Sequence, residues 1–176
     1  MSFDLIFWIN EYVFSEEKYF QFLQECRKIE GNWKLTETHS FDAKLCSCYR
    51  DEYHTECYLT QEVHLSGFEN NDEEEGELVS ILVHIYKERD VDVNFQDNEK
   101  YKVYIDIETG AGRGFLALAI QFLIPLKAFE FFKDVVVVDQ LTSKVYFNSD
   151  EYLIYVRETL SVYFKCENVY QKYFLK

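Results

Sequence analysis

Proline and glycine are scarce in this sequence, which has one proline and six glycines among its 176 residues. Disordered chains and linkers are rich in these residues, so the composition excludes both classes. Hydrophobic residues make up 48% of the chain, enough to build an ordinary core at this length. We therefore expect residues 1–176 to form a single globular domain.

Targeting signals and long apolar runs are also missing. Residues 1–9 carry no basic residue and no small-residue cleavage site, and Asp4 interrupts their apolar stretch, which excludes a signal peptide. The longest apolar run, residues 115–126, is broken by Gln121 and Pro125 and is shorter than the roughly 20 residues that cross a membrane. Five cysteines, an odd number without secretory features, favour free thiols in a reducing compartment. We expect a cytoplasmic protein with no membrane-spanning segment.

Basic residues are few, since 18 Lys and Arg stand against 32 Asp and Glu and give a formal charge of −14. The excess is concentrated in residues 51–110, where 17 acids and 4 bases give a net −13. A negative surface repels nucleic-acid phosphates and anionic lipid, and it speeds association with a cationic protein. We expect a basic protein partner, and neither nucleic-acid nor membrane binding.

Two acidic stretches within residues 51–110 carry the candidate partner-binding residues. Both are predicted to be loops, and such loops serve either solubility alone or the attraction of a basic partner. The candidate residues are Glu69, Asp72, Glu73, Glu74, Glu75, Glu77, Asp90, Asp92, Asp97 and Glu99.

Hydrophobic periodicity predicts several strands and three helices. The predicted strands cover residues 3–9, 45–49, 56–65, 77–87, 101–108, 135–138 and 144–147. The predicted helices cover residues 15–30 with Ser15 as N-cap, residues 115–124 with Pro125 ending or kinking the helix, and residues 150–165 with Asn148 or Ser149 as N-cap. This order of elements predicts an α+β fold, with a mostly antiparallel sheet and helices packed on one face.

A glycine-rich turn joins a predicted strand to a predicted helix within residues 103–118. Glu108 is followed there by Gly110, Gly112 and Gly114. The segment resembles the first motif of class I S-adenosylmethionine-dependent methyltransferases, in which such glycines let the backbone approach the cofactor. Only 62 residues follow Gly114, whereas most of the α/β sheet of that family follows its motif. We predict a structural turn and no cofactor.

Four residues with soft ligand atoms cluster early in the chain, namely Cys46, Cys48, His54 and Cys57. Zinc favours Cys and His ligands, but its structural sites usually offer paired Cys-x₂₋₄-Cys elements on turns. The spacing here favours buried thiols over a metal site. The sequence also contains no known pattern of nucleophile and base, so we expect no catalytic residues and no enzymatic activity.

Small size, a concentrated acidic surface and missing catalytic motifs together resemble the profile of immunity proteins that neutralise bacterial polymorphic or contact-dependent toxins. The resemblance implies stoichiometric binding to the toxin domain of a cognate effector, often a basic nuclease. Two alternatives stay open. One is an acidic phage-type inhibitor or nucleic-acid mimic, and the other is an atypical S-adenosylmethionine-dependent methyltransferase-like enzyme.

Overall fold

The computed structural model describes residues 3–31, 33–37, 46–50, 53–66, 77–86, 98–109, 114–139 and 142–175. Within these residues, eight strands form one sheet. They are β1 (Phe3–Asn10), β2 (Lys34–Glu37), β3 (Cys46–Arg50), β4 (Tyr53–Ser66), β5 (Glu77–Tyr86), β6 (Tyr101–Thr109), β7 (Val135–Val138) and β8 (Val145–Tyr146). Their order is β2-β4-β5-β6-β1-β7-β8, and β3 also pairs with β4. Every described pair is antiparallel.

The described part of the chain also contains four α-helices. They are α1 (Glu16–Cys26), α2 (Gly114–Phe132), α3 (Ser149–Glu158) and α4 (Glu167–Phe174). Two predicted caps are confirmed, because the Lys18 N–H donates to the Ser15 side chain at 3.1 Å and the Glu151 N–H donates to the Asn148 side chain at 2.9 Å. A single 3₁₀ turn, Asn98–Lys100, precedes β6, and a π-helical turn, Thr159–Tyr163, follows α3.

Strand alternation separates the two faces of the sheet. Leu5, Phe7 and Ile9 of β1 share one core with the buried side chains of all four helices. Trp8 lies on the other face, beside a smaller cluster that contains Val136. The helices therefore cover one face, and the predicted α+β architecture is confirmed.

Helix α2 is the centre of this core, with ten buried residues along its length. Among the described helices it alone is long and apolar enough to cross a membrane, and just over half of it is buried inside the protein. That burial suits the core helix of a sheet-covered domain. The helix continues through Pro125 to Phe132, so of the two predicted effects of Pro125, an end or a kink, the end is wrong.

A buried amide joins α2 to the sheet. Gln121 is fully buried, and its Nε2 donates to the Ile107 carbonyl at 2.7 Å. The Thr109 hydroxyl donates to the Gln121 Oε1 at 3.1 Å. These two bonds fix the first half of α2 against the last residues of β6.

Candidate functional site

Most of the predicted partner-binding residues lie outside the described residues, namely Glu69, Asp72, Glu73, Glu74, Glu75, Asp90, Asp92 and Asp97. Glu77 is the first residue of β5. Glu99 lies in the 3₁₀ turn before β6 and is exposed.

The two acidic stretches attach to the sheet at opposite ends. The first lies between Ser66 of β4 and Glu77 of β5, and the second between Tyr86 of β5 and Asn98. A ten-residue strand such as β5 is about 30 Å long, because each residue advances about 3.3 Å. Glu77 and Tyr86, the two ends of β5 that adjoin these stretches, therefore lie about 30 Å apart.

The glycine-rich turn has a different setting from the methyltransferase motif. Strand β6 is antiparallel to both of its neighbours, β5 and β1, whereas that motif ends a strand of a parallel α/β sheet. Gly114 begins α2 with a φ of 83°, a conformation that favours glycine. Gly110 and Gly112 lie outside the described residues.

The four candidate zinc ligands lie on the paired strands β3 and β4. Cys46 of β3 pairs with Cys57 of β4, while His54 pairs with Tyr49. In this register His54 and Cys57 are three residues apart on β4. Among the side chains that the structure describes, no three His, Cys, Asp or Glu residues form a group able to hold a metal ion.

A groove at the β8 edge of the sheet brings together polar and aromatic side chains. It lies between the β7–β8 hairpin, α3 and the π-helical turn, and its volume is about 590 Å³. We call it the hairpin groove. The residues that give it its chemistry are Asp139, Tyr146, Tyr155, Glu158, Thr159 and Tyr163.

The hairpin and α3 position two stacked tyrosines in this groove. Tyr146 pairs with Val137, a core residue, so it lies on the helix-covered face of the sheet. Tyr155 projects from α3, and the two ring centroids are 4.8 Å apart with 28° between the planes. The stack joins the edge strand to the helix and provides an aromatic wall.

Asp139 stands at the start of the β7–β8 turn. Its carboxylate accepts a hydrogen bond from the Thr142 hydroxyl at 2.5 Å, and its N–H donates to the Lys144 carbonyl at 2.9 Å. The Ser143 N–H donates to the Asp139 carbonyl at 2.8 Å, with Ser143 in the left-handed region. These bonds hold the carboxylate beside the tyrosines, and Asp139 as a whole residue is 7% exposed.

The electrostatics of the groove keep both phenols protonated. Burial raises the pKa of Tyr155, the charge of Asp139 raises it further, and a hydrogen bond with the Thr159 side chain partly offsets this. Burial also raises the pKa of Tyr146, with added contributions from the charges of Asp139 and Glu158. The carboxylates therefore surround neutral, electron-rich rings.

The π-helical turn shapes the outer wall of the groove. The Phe164 N–H donates to the Thr159 carbonyl at 3.0 Å, an i to i+5 bond of the kind found often at functional sites. Val162 and Tyr163 on this turn are 75% and 51% exposed. A second groove of about 470 Å³ shares Glu158 and Val162 with the first, so these two residues form a ridge between the grooves.

The sequence did not indicate this groove as a site. Its residues lie in the last third of the chain, which is nearly neutral with 7 acids and 8 bases over residues 111–176. Hydrophobic periodicity over residues 150–165 predicts a helix with Tyr163 or Phe164 on the same face as Leu153, Val156 and Leu160. The π-helical turn leaves Phe164 half-buried and Tyr163 exposed.

The fold defines the protein as an α+β protein whose antiparallel sheet is covered on one face by helices. No family model matches the chain, and neither does any curated protein or solved structure.

Proposed function

We propose that this protein is a stoichiometric protein-binding inhibitor, an immunity protein that neutralises a cognate, basic bacterial toxin domain in the cytoplasm. The hairpin groove is the observation that carries the proposal. It combines tyrosines and carboxylates with the exposed Val162 and Tyr163 at its rim. Aromatic anchors in a pocket with a polar rim are typical of the centre of protein interfaces.

The position of the first acidic stretch supports the same partner. Ser80 near the start of β5 pairs with Glu108 near the end of β6. Ile6 of β1 pairs with Val138 at the end of β7, immediately before Asp139. The stretch that leads into β5 and the hairpin groove are therefore attached at the same end of the sheet. A basic partner drawn by the acids would arrive near the groove.

Co-expression with the candidate toxin tests the proposal. The gene that ends immediately upstream is expected to encode the toxin, and its C-terminal domain is expressed with and without this protein. We expect restored growth and a 1:1 complex in size-exclusion chromatography with light scattering. A non-cognate toxin domain is the control.

Absence of both rescue and complex would refute the proposal. Inhibition of unrelated DNA-binding proteins without protection from the toxin would favour the acidic nucleic-acid mimic instead. Micromolar binding of S-adenosylmethionine would favour the methyltransferase-like enzyme.

A further inference from the structure

We infer that the hairpin groove recognises an arginine side chain presented by the partner protein. The inference rests on the proposed function, because it assigns the groove to the same partner. It goes further in naming the chemical group that enters the groove and the residues that contact it.

The size and shape of the groove suit a side chain of this kind. Pockets that hold small ligands have volumes of about 300–1,000 Å³, and this groove has about 590 Å³. It opens beside the exposed Tyr163, so a side chain can enter from a docked surface. The stacked Tyr146 and Tyr155 form the inner wall, which is tied to the core.

The lining favours a planar cation. A guanidinium group stacks on aromatic faces and also donates paired hydrogen bonds to carboxylates, whereas an ammonium group offers a compact point charge. The groove presents the exposed Tyr163 and Glu158 and the half-buried Tyr146, while Tyr155 and Asp139 line it deeper and are 6% and 7% exposed. An anion such as phosphate would meet two carboxylates, so we exclude it as the ligand.

The groove contains one basic side chain of its own, and its single charge does not balance the two carboxylates. Lys144 also lines the groove and is exposed. Within the described part of the chain, its ammonium makes no ion pair with Asp139 or Glu158. Among the described lining residues, the two carboxylates of Asp139 and Glu158 and the one ammonium of Lys144 give a net negative charge. That charge attracts an incoming guanidinium, with Lys144 as a weak competitor.

A titration with a small probe tests the chemistry without the partner. N-acetyl-arginine methylamide is added to the full chain with labelled tyrosine rings, and the chemical shifts of Tyr146 and Tyr155 are followed by NMR. The neutral N-acetyl-citrulline methylamide is the matched probe. We expect saturable shifts with the arginine probe and binding at least about tenfold weaker with the citrulline probe.

Charge variants locate the probe in the groove. Glu158→Gln is expected to weaken arginine binding by about threefold to fivefold, the range for an exposed ion pair. The double variant of Glu158→Gln and Asp139→Asn is expected to bind the arginine probe more weakly than Glu158→Gln alone. Asp139→Asn keeps an oxygen that accepts the hydrogen bond from Thr142. Lys144→Met is expected to tighten binding, because it removes the competing ammonium. Glu130→Gln, an exposed glutamate of α2 that does not line the groove, is the control and should change nothing.

The same variants in the complex separate this inference from the proposed function. If the wild-type protein binds its toxin domain and Glu158→Gln and Tyr163→Ala weaken that binding, the inference is supported. Unchanged affinity for the toxin in both variants overturns the inference and leaves the proposed function standing.

If no toxin domain binds the wild type while the arginine probe does, the proposed function fails and the arginine site is retained. Equal binding of the two probes overturns the site itself. Thermal unfolding of each variant checks that it folds.

Discussion

The amide of Gln121 is predicted to act as a clamp between α2 and β6. Gln121→Leu keeps most of the side-chain volume but removes both hydrogen bonds. The Ile107 carbonyl loses one donor, and the buried Thr109 hydroxyl loses its acceptor. A lost hydrogen bond costs about 0.5–1.5 kcal/mol, and a buried polar group left unsatisfied costs about 1–3 kcal/mol. We expect the free energy of unfolding to fall by about 2–3 kcal/mol.

A second substitution isolates the bond between the two side chains. Thr109→Val removes the hydroxyl and leaves the Gln121 Oε1 without its donor, at an expected cost of about 1–2 kcal/mol. In the double variant neither side chain of the pair is left unsatisfied. The double variant should therefore lose about 1 kcal/mol less than the sum of the two single losses.

Urea-induced unfolding followed by circular dichroism measures these differences. The m values are compared to check that the extent of unfolding is unchanged. Gln171→Leu, at an exposed glutamine of α4, is the matched control and should stay within about 0.5 kcal/mol of the wild type. Additive losses in the double variant, or a loss in Gln121→Leu as small as in the control, would refute the clamp.

Three further predictions concern the buried thiol, the acids and the glycines. Burial raises the pKa of the fully buried Cys26 far above the ordinary 9.0, and the charge of Lys127 opposes this rise in part. The thiol therefore ionises first in the unfolded state, so the free energy of unfolding falls as pH rises above about 9. Cys26→Ala should remove about 2 kcal/mol of that decline between pH 8 and 10.5, as measured by urea unfolding, and an unchanged decline would contradict this. Replacing Asp72, Glu73, Glu74 and Glu75 by Asn or Gln should leave thermal stability unchanged or slightly raised and slow association with the toxin, with a loss that shrinks as salt rises. Equal association rates at low salt would show that this stretch serves solubility alone. Calorimetric titration with S-adenosylmethionine should show no binding, and micromolar binding that Gly112→Val abolishes would overturn the structural role of the turn.

Local signals in the sequence were sufficient for most of the secondary structure. The caps at Ser15 and Asn148 and the alternation in β1 depend on neighbouring residues alone, so they were predictable.

Helix α2 continues beyond Pro125 for a reason that is not local. A proline inside a helix costs about 3 kcal/mol or more, whereas burying a phenylalanine contributes about 1.5–3 kcal/mol. Phe129 and Phe132 are both buried beyond the proline and together offset its cost.

The candidate site was harder to predict because it depends on contacts distant in sequence. Tyr146 and Tyr155 belong to a hairpin and a helix, and only the packing of one on the other stacks their rings. The exposure of Tyr163 depends on the extra residue of a π-helical turn, for which we know no sequence signal. It was predictable that the two acidic stretches adjoin opposite ends of β5, since successive connections of an antiparallel meander lie at opposite ends of the strands.

The edges of the sheet bear on how a partner can dock. Within the described strands, one edge is β8, with two residues. The other is shared by β2 and β3, with four and five residues on separate parts of β4. Peptides that bind by extending a sheet need a long row of unpaired backbone N–H and C=O groups. Edges this short also resist self-association through strand pairing. In the complex that we propose, recognition would therefore fall to side chains in grooves, where single substitutions can change the choice of partner while the backbone of the sheet stays the same.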